Sequence, residues 1–172
     1  MYIVSKDGKG DFISIQEAID AVPDRAEEPF TLYIKKGIYH ERLILNKDYV
    51  SMIGEDRDKT IITYSGCAKD LKPDGTERGT FLSFSMIVTG NDVKCENLTI
   101  RNDAGDGRIV GQAVAVYTAG DRGTWRNCRL IACQDTLFCG PMMKKVEDDI
   151  APRISRAECV ESVGDYWYPQ DR

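Results

Sequence analysis

The sequence holds a single histidine, His40, and none of its six cysteines (Cys67, Cys95, Cys128, Cys133, Cys139, Cys159) lies in a Cys-x-x-Cys pair. A zinc site of imidazoles and thiolates is therefore not expected, and nothing else in the sequence calls for a cofactor. His40 has no apparent serine partner, so it is read as a surface or packing residue and not as a member of a catalytic triad. No apolar run reaches the roughly 20 residues needed to cross a bilayer, so a membrane partner is not expected. The opening Met1-Tyr2-Ile3-Val4-Ser5-Lys6 lacks the basic, apolar and small-residue sections of a secretory leader. As written, the protein is expected in the cytoplasm with its cysteines as buried free thiols; it would be secreted if an export signal is missing from the sequence. Lysine and arginine form no long block and the formal net charge is -5, which excludes an electrostatic footprint for nucleic acid. That mild negative charge suits an esterified acid better than a bare polyanion.

What is present is a composition of 42% hydrophobic and 30% charged residues over 172 positions, that of one soluble domain with a sizeable core. Near the start, Gly8-Lys9-Gly10-Asp11 makes a turn and Ser14 caps a helix over 15–22, with Glu17 completing a capping box and Pro23 stopping it. Beyond it the chain reads as short strands over 30–34, 43–45, 50–53, 60–64, 84–88, 93–100, 113–117 and 124–131, rich in β-branched residues and punctuated by Gly, Asn and Asp. Their connections are too brief for the helical crossovers of a doubly wound sheet. Cys95-Glu96-Asn97-Leu98-Thr99-Ile100 is echoed by Arg126-Asn127-Cys128-Arg129-Leu130-Ile131, a repeat at the spacing of solenoid coils. Stacked coils would align inward Cys, Leu and Ile in internal columns, and Asn97 and Asn127 would make turn hydrogen bonds. An antiparallel sandwich is the alternative architecture.

The chemistry concentrates in Gly111-Gln112-Ala113-Val114-Ala115 and Gln134-Asp135-Thr136-Leu137. An ester hydrolase that uses neither metal nor serine needs a carboxylic acid to protonate the leaving group and amide donors to hold an oxyanion. These two segments supply both. Tyr117 and Phe138 are read either as sugar-stacking residues or as ordinary sheet aromatics.

Five ordered segments carry a family resemblance over roughly residues 3–140. They are Val4-Ser5-Lys6-Asp7-Gly8-Lys9-Gly10-Asp11-Phe12 with Ile15-Gln16-Glu17-Ala18-Ile19-Asp20; Gly37-Ile38-Tyr39-His40-Glu41; Glu96-Asn97-Leu98-Thr99-Ile100-Arg101-Asn102; and the two glutamine segments. In these the chain resembles the pectin methylesterases, the pectinesterase family of carbohydrate esterases. The resemblance implies an all-β fold, a right-handed single-stranded parallel β-helix with a short N-terminal helix. It implies hydrolysis of galacturonate methyl esters in pectin or oligogalacturonides, with release of methanol, by an aspartate-based covalent mechanism. Asp135 matches the family's general acid, Gln112 the glutamine that stabilises the oxyanion, Gln134 a residue lining the same site, and Thr80 a substrate-contacting threonine. Gly37 to Glu41 is read as a structural turn.

After Cys139-Gly140-Pro141 the resemblance decays. The family's Val-Asp-Phe-Ile-Phe-Gly segment, which holds the nucleophile, and its Gly-Arg-Pro-Trp segment do not occur among these 172 residues. Arg156-Ala157-Glu158-Cys159 and Gly164-Asp165-Tyr166 are a faint echo, with Asp165 outside the required context. The expectation is a pectinesterase-like β-helix domain over 1–140, incomplete at its carboxy-terminal end, followed by a divergent tail over 141–172, with weak or absent activity. The other functional classes are an acyl (thio)ester hydrolase on the same scaffold, a non-catalytic oligogalacturonide-binding β-helix, and a degenerate gene fragment.

Overall fold

Strands of three to five residues with every second side chain apolar cannot form a core alone; they bury their inward faces only by stacking on further copies of themselves. In the computed structural model, which describes residues 1–23 and 28–139, they do so as a parallel β-helix. After β1 (Tyr2–Val4) and helix α1 (Ile15–Asp20), the first coil carries β2 (Phe30–Ile34), β3 (Gly37–His40) and β4 (Leu43–Leu45). The second carries β5 (Val50–Gly54), β6 (Thr60–Tyr64) and β7 (Met86–Val88). The third carries β8 (Lys94–Glu96), β9 (Thr99–Asn102) and, after helix α2 (Gly107–Val110), β10 (Val116–Thr118). The fourth carries β11 (Thr124–Arg126), β12 (Arg129–Ile131) and β13 (Leu137–Cys139). Each coil contributes one strand to each of three parallel sheets, ordered β1-β2-β5-β8-β11, β3-β6-β9-β12 and β4-β7-β10-β13. This settles the architecture against the sandwich.

The register makes the interior a set of columns. Leu32, Met52, Cys95 and Trp125 stack in the first sheet. Tyr39, Ile62, Ile100 and Leu130 stack in the second. Leu43, Met86, Val116 and Leu137 stack in the third. All but Leu137 are buried, and each such side chain is worth on the order of 1.5–3 kcal/mol of transfer free energy. Tyr39 is wholly enclosed, donates to the Lys35 carbonyl at 2.9 Å, and has its phenol pushed up to about 12 by burial.

The repeat read from the sequence is real, with one refinement. Residues 93–100 and 124–131 each divide into two strands because Asn97 and Asn127 adopt left-handed backbone at φ 56° and 47° and turn the corner between the first and second sheets. Asparagine tolerates that region better than other non-glycine residues. The two stack 30 residues apart, the Asn127 amide donating to the Asn97 side-chain oxygen at 2.7 Å. Gly54 occupies the same level one coil earlier, where a Cβ would come within 2.1 Å of the Asn97 carbonyl oxygen. Cys95 and Cys128 therefore lie in different columns. Of the five described cysteines, all are free; Cys67, Cys95 and Cys128 are buried as expected, but Cys133 and Cys139 are exposed.

Three further expectations are corrected. Gly37–His40 is a strand and not a turn, because Tyr39 belongs to an internal column. The chain beyond α1 is not wholly strand: α2 and a 3-10 turn at Thr80–Leu82 interrupt it. Helix α1 ends at Asp20, and although Ser14 accepts from the Glu17 amide at 3.4 Å, the carboxylate at the helix start is Glu41. Glu41 accepts from Ser14 Oγ at 2.8 Å and from the amides of Ile15 and Gln16 at 3.1 and 2.9 Å. It thereby ties α1, whose buried Ile15, Ala18 and Ile19 pack near β1, β2 and β4, to the first coil. Residues 141–172, including Asp165 and Cys159, lie outside the described residues. Among the described residues no helix is long and apolar enough to cross a membrane.

Glu41→Ala removes a cap shared by two amides and is expected to cost about 1–2 kcal/mol in urea unfolding. His40→Ala, one residue earlier and exposed, is expected to stay within about 0.5 kcal/mol.

Candidate active site

The corners of the coil are unequal. Connections from the first to the second sheet, and from the third back to the first, never exceed five residues. Those from the second to the third sheet run over 41–42, 65–85, 103–115 and 132–136. All four residues singled out from the sequence fall in this one column of connections: Thr80 in the second coil, Gln112 in the third, Gln134 and Asp135 in the fourth.

Backbone hydrogen bonds lay these connections side by side. The Ala68 amide donates to the Gln112 carbonyl at 2.8 Å, and Lys69 Nζ donates to the Ile109 carbonyl at the end of α2 at 2.7 Å. Ala113, next to Gln112, forms an antiparallel bridge with Gln134, its amide donating to the Gln134 carbonyl at 3.3 Å. Gln112 is half-buried, and Gln134 and Asp135 are exposed; none of the three belongs to the apolar core. The Gln134 side chain lies against Gly107, where a Cβ would stand 3.1 Å from its Oε1.

Asp135 has left-handed backbone at φ 56°, as Asn97 and Asn127 have at the other corner, a region that Asp and Asn tolerate better than most non-glycine residues. Among the described residues its carboxylate makes no hydrogen bond and no ion pair. It contrasts with Asp70, Asp92, Asp103 and Asp106, each paired with an arginine. Thr80 is half-buried and opens the 3-10 turn after Gly79, its carbonyl accepting from Ser83 Oγ at 2.7 Å.

Beside these residues stands an aromatic group on the outer side of the third sheet. Phe81 lies 5.0 Å from Phe138 and 6.3 Å from Tyr117, and Tyr117 lies 5.1 Å from Phe138, measured between ring centroids. Tyr117 and Phe138 are register partners, whereas Phe81 reaches them from the long connection of the second coil and is exposed. The sequence reading missed Phe81: it stands in a connection without periodicity, and its only signal was adjacency to Thr80. Edge-to-face rings with an open side suit the apolar face of a sugar. No three His, Cys, Asp or Glu side chains converge as metal ligands among the described residues.

With this geometry in view, the relatives are informative. A model of the pectinesterase family matches residues 1–144, and the chain belongs to that family. It is 35% identical over 144 residues to pectinesterase 31 of Arabidopsis thaliana, covering 80% of this chain and 45% of the relative. It is 34% identical over 148 residues to pectinesterase A of Dickeya dadantii, covering 78% and 40%. Among solved structures, a pectin methylesterase in complex with a hexasaccharide superposes with a TM-score of 0.74 at 34% identity, over 80% of this chain and 44% of that one. A pectin methylesterase from carrot gives 0.72 at 30% identity, over 80% and 41%. The chain thus spans under half the length of these relatives.

The connection over 65–85 carries its own acid-sensitive clasp. Asp70 accepts from the Cys67 amide at 2.9 Å and from Cys67 Sγ at 3.2 Å and pairs with Arg78 at 3.1 Å; the Cys67 N–H first, then its thiol, then Arg78 hold its carboxyl below the usual range. A depressed folded-state pKa gives stability that is present above the unfolded value, about 3.9, and lost as pH falls through the folded value. Asp70→Asn is therefore expected to flatten the loss of unfolding free energy below about pH 4, read from urea titrations at stepped pH.

Proposed function

We propose that this chain carries the acid-and-amide part of a pectinesterase-type site, directed at methyl-esterified galacturonate units of pectin or oligogalacturonides. The observation that carries the reading is an exposed Asp135, unpaired among the described residues, following Gln134, whose backbone pairs with the neighbour of Gln112. A carboxyl group not engaged by an arginine or lysine is accessible to a substrate's leaving oxygen. The amides of Gln112 and Gln134 are the donors for an ester oxygen that gains charge on attack, and one such donor is worth roughly 10²–10³ in rate. The Phe81–Tyr117–Phe138 group offers a platform for the sugar chain, in keeping with the hexasaccharide complex of the related methylesterase.

In the covalent route, a second carboxylate attacks the ester carbonyl and the oxyanion is held by Gln112 and Gln134. The C–O bond to methanol breaks as the leaving oxygen takes the Asp135 proton. Asp135, now a carboxylate, accepts a proton from water as that water cleaves the acyl intermediate. The family's nucleophile segment is not in this sequence. Coupled catalytic groups lose most of the rate when one is removed, so methanol release is expected to need that second carboxylate together with Asp135. The second reading, a non-catalytic oligogalacturonide-binding β-helix, draws on the aromatic group.

Calorimetric titration of methyl-esterified oligogalacturonide, with a methanol assay on the same samples, tests the proposal. Binding by the wild-type chain is expected, weakened about fivefold by Gln112→Ala, the worth of one ordinary hydrogen bond. Asp135→Asn is expected to retain binding and to abolish whatever methanol release is present. An absence of binding, binding indifferent to Gln112→Ala, or methanol release indifferent to Asp135→Asn contradicts the proposal; binding with no methanol under any condition favours the second reading.

A further inference from the structure

One buried polar knot lies behind the candidate site and is used by neither the solenoid ladder nor the proposed chemistry. Asn102 ends β9 at the level of Tyr64 in the coil before, so its side chain enters the corner from which the long connections spring. Its Nδ2 lies within hydrogen-bond distance of the carbonyls of Gly66 at 2.8 Å, Ser83 at 2.8 Å and Val114 at 3.0 Å, its two N–H groups being shared among the three, while its Oδ1 accepts from the Ala104 amide at 3.1 Å. Three surrounding carbonyls fix the orientation of the amide, because a reversed group would set oxygen against oxygen. Ser83 adds a second tie: its Oγ accepts from the Val114 amide at 3.2 Å and donates to the Thr80 carbonyl. Both residues are buried, so water does not compete for these bonds.

The knot holds what the strands leave loose. Residues 103–115 form a connection whose course the parallel ladder does not dictate, and Gln112 lies within it. Two residues after Gln112, both polar backbone atoms of Val114 are taken by Asn102 and Ser83, and the Gln112 carbonyl itself receives the Ala68 amide. The stretch from Gln112 to Val114 is thereby fastened to Ala68 and Ser83, near the two ends of the 65–85 connection. We propose that Asn102 and Ser83 are positioning residues for Gln112, setting where its amide stands for an ester oxygen. The inference rests on the reading of Gln112 given under Proposed function. It adds that the precision of this donor is set by two buried side chains that touch no substrate. Displacements near 1 Å are costly at such sites, on the order of 10²-fold in rate.

Asn102→Ala takes the side-chain donor from the buried Gly66 and Ser83 carbonyls, leaving Val114 only the Ser85 amide, and can fail to fold, so Ser83→Ala is the working variant. The wild-type chain, S83A, Q112A and the double variant are titrated with methyl-esterified oligogalacturonide well below their melting temperatures. Side-chain amide signals of Gln112 and Gln16 are followed by NMR. Gln16, on α1 and bonded to Asp20 and the Ile44 carbonyl, reports on the fold away from the site. The expected result is an affinity loss of about fivefold in S83A, no further loss in the double variant beyond that of Q112A, a displaced Gln112 signal and an unmoved Gln16 signal. Unchanged affinity in S83A, losses that multiply in the double variant, or an unmoved Gln112 signal overturns the inference and leaves Ser83 as structural support. No binding by the wild-type chain overturns the reading of Gln112 itself, and this inference with it.

Discussion

In-register stacking of parallel coils is the constraint on which everything else in this molecule depends. Strands in adjacent coils lie about 4.8 Å apart, so residues equivalent in successive coils are brought within contact distance whatever their separation in sequence. Asn127 therefore reaches Asn97 directly, and Trp125 sits on Cys95. The same rule makes corners additive. A short corner repeated in every coil becomes a rigid ladder, and a corner allowed to lengthen becomes a column of neighbouring connections. Here only the corner between the second and third sheets lengthens, and the candidate site residues are found there.

A division of labour follows between the two kinds of corner. The asparagine corner uses left-handed backbone and side-chain bonds to turn the chain in two residues, with Gly54 required where a Cβ would strike the coil above. The long corner has few ladder bonds and is braced by buried side chains, Ser83 within it and Asn102 at its entrance from β9, and by the partly exposed pair Asp70 and Arg78 in its outer part. Glu41, at the short first connection of the same column, caps α1 and so fixes the first coil. Side chains that resemble a site motif in sequence thus divide into those that brace the corner and those that face solvent from it.

Much of this was legible in the sequence, and for identifiable reasons. Strands such as 30–34, 43–45 and 60–64 showed β-branched residues bounded by turn formers, and the Asn-bearing repeat gave the coil spacing. Tyr39 was hidden because a single polar-looking motif, Gly37 to Glu41, holds an internal column residue and a helix cap at once. The division of 93–100 and 124–131 was missed because a left-handed asparagine leaves no mark on hydrophobic periodicity. At the site, Gln112, Gln134 and Asp135 were visible through the family resemblance, while Phe81 was not: its partners Tyr117 and Phe138 are remote in sequence and only stacking unites them. Asn102 lies in the motif Glu96 to Asn102, but its contacts to three separate segments exist only once the coils are wound.

The central claim is that the lengthened corner, with the aromatic group beside it, is where a methyl-esterified galacturonate chain meets this protein. The most direct measurement is backbone amide chemical-shift mapping during titration with methyl-esterified oligogalacturonide. The account predicts shifts confined to the neighbourhoods of Thr80, Phe81, Gln112, Tyr117, Gln134, Asp135 and Phe138, with the Asn97 and Asn127 corner silent. Shifts centred on that asparagine corner or on the outer face of the first sheet, or none at saturating ligand, would contradict it.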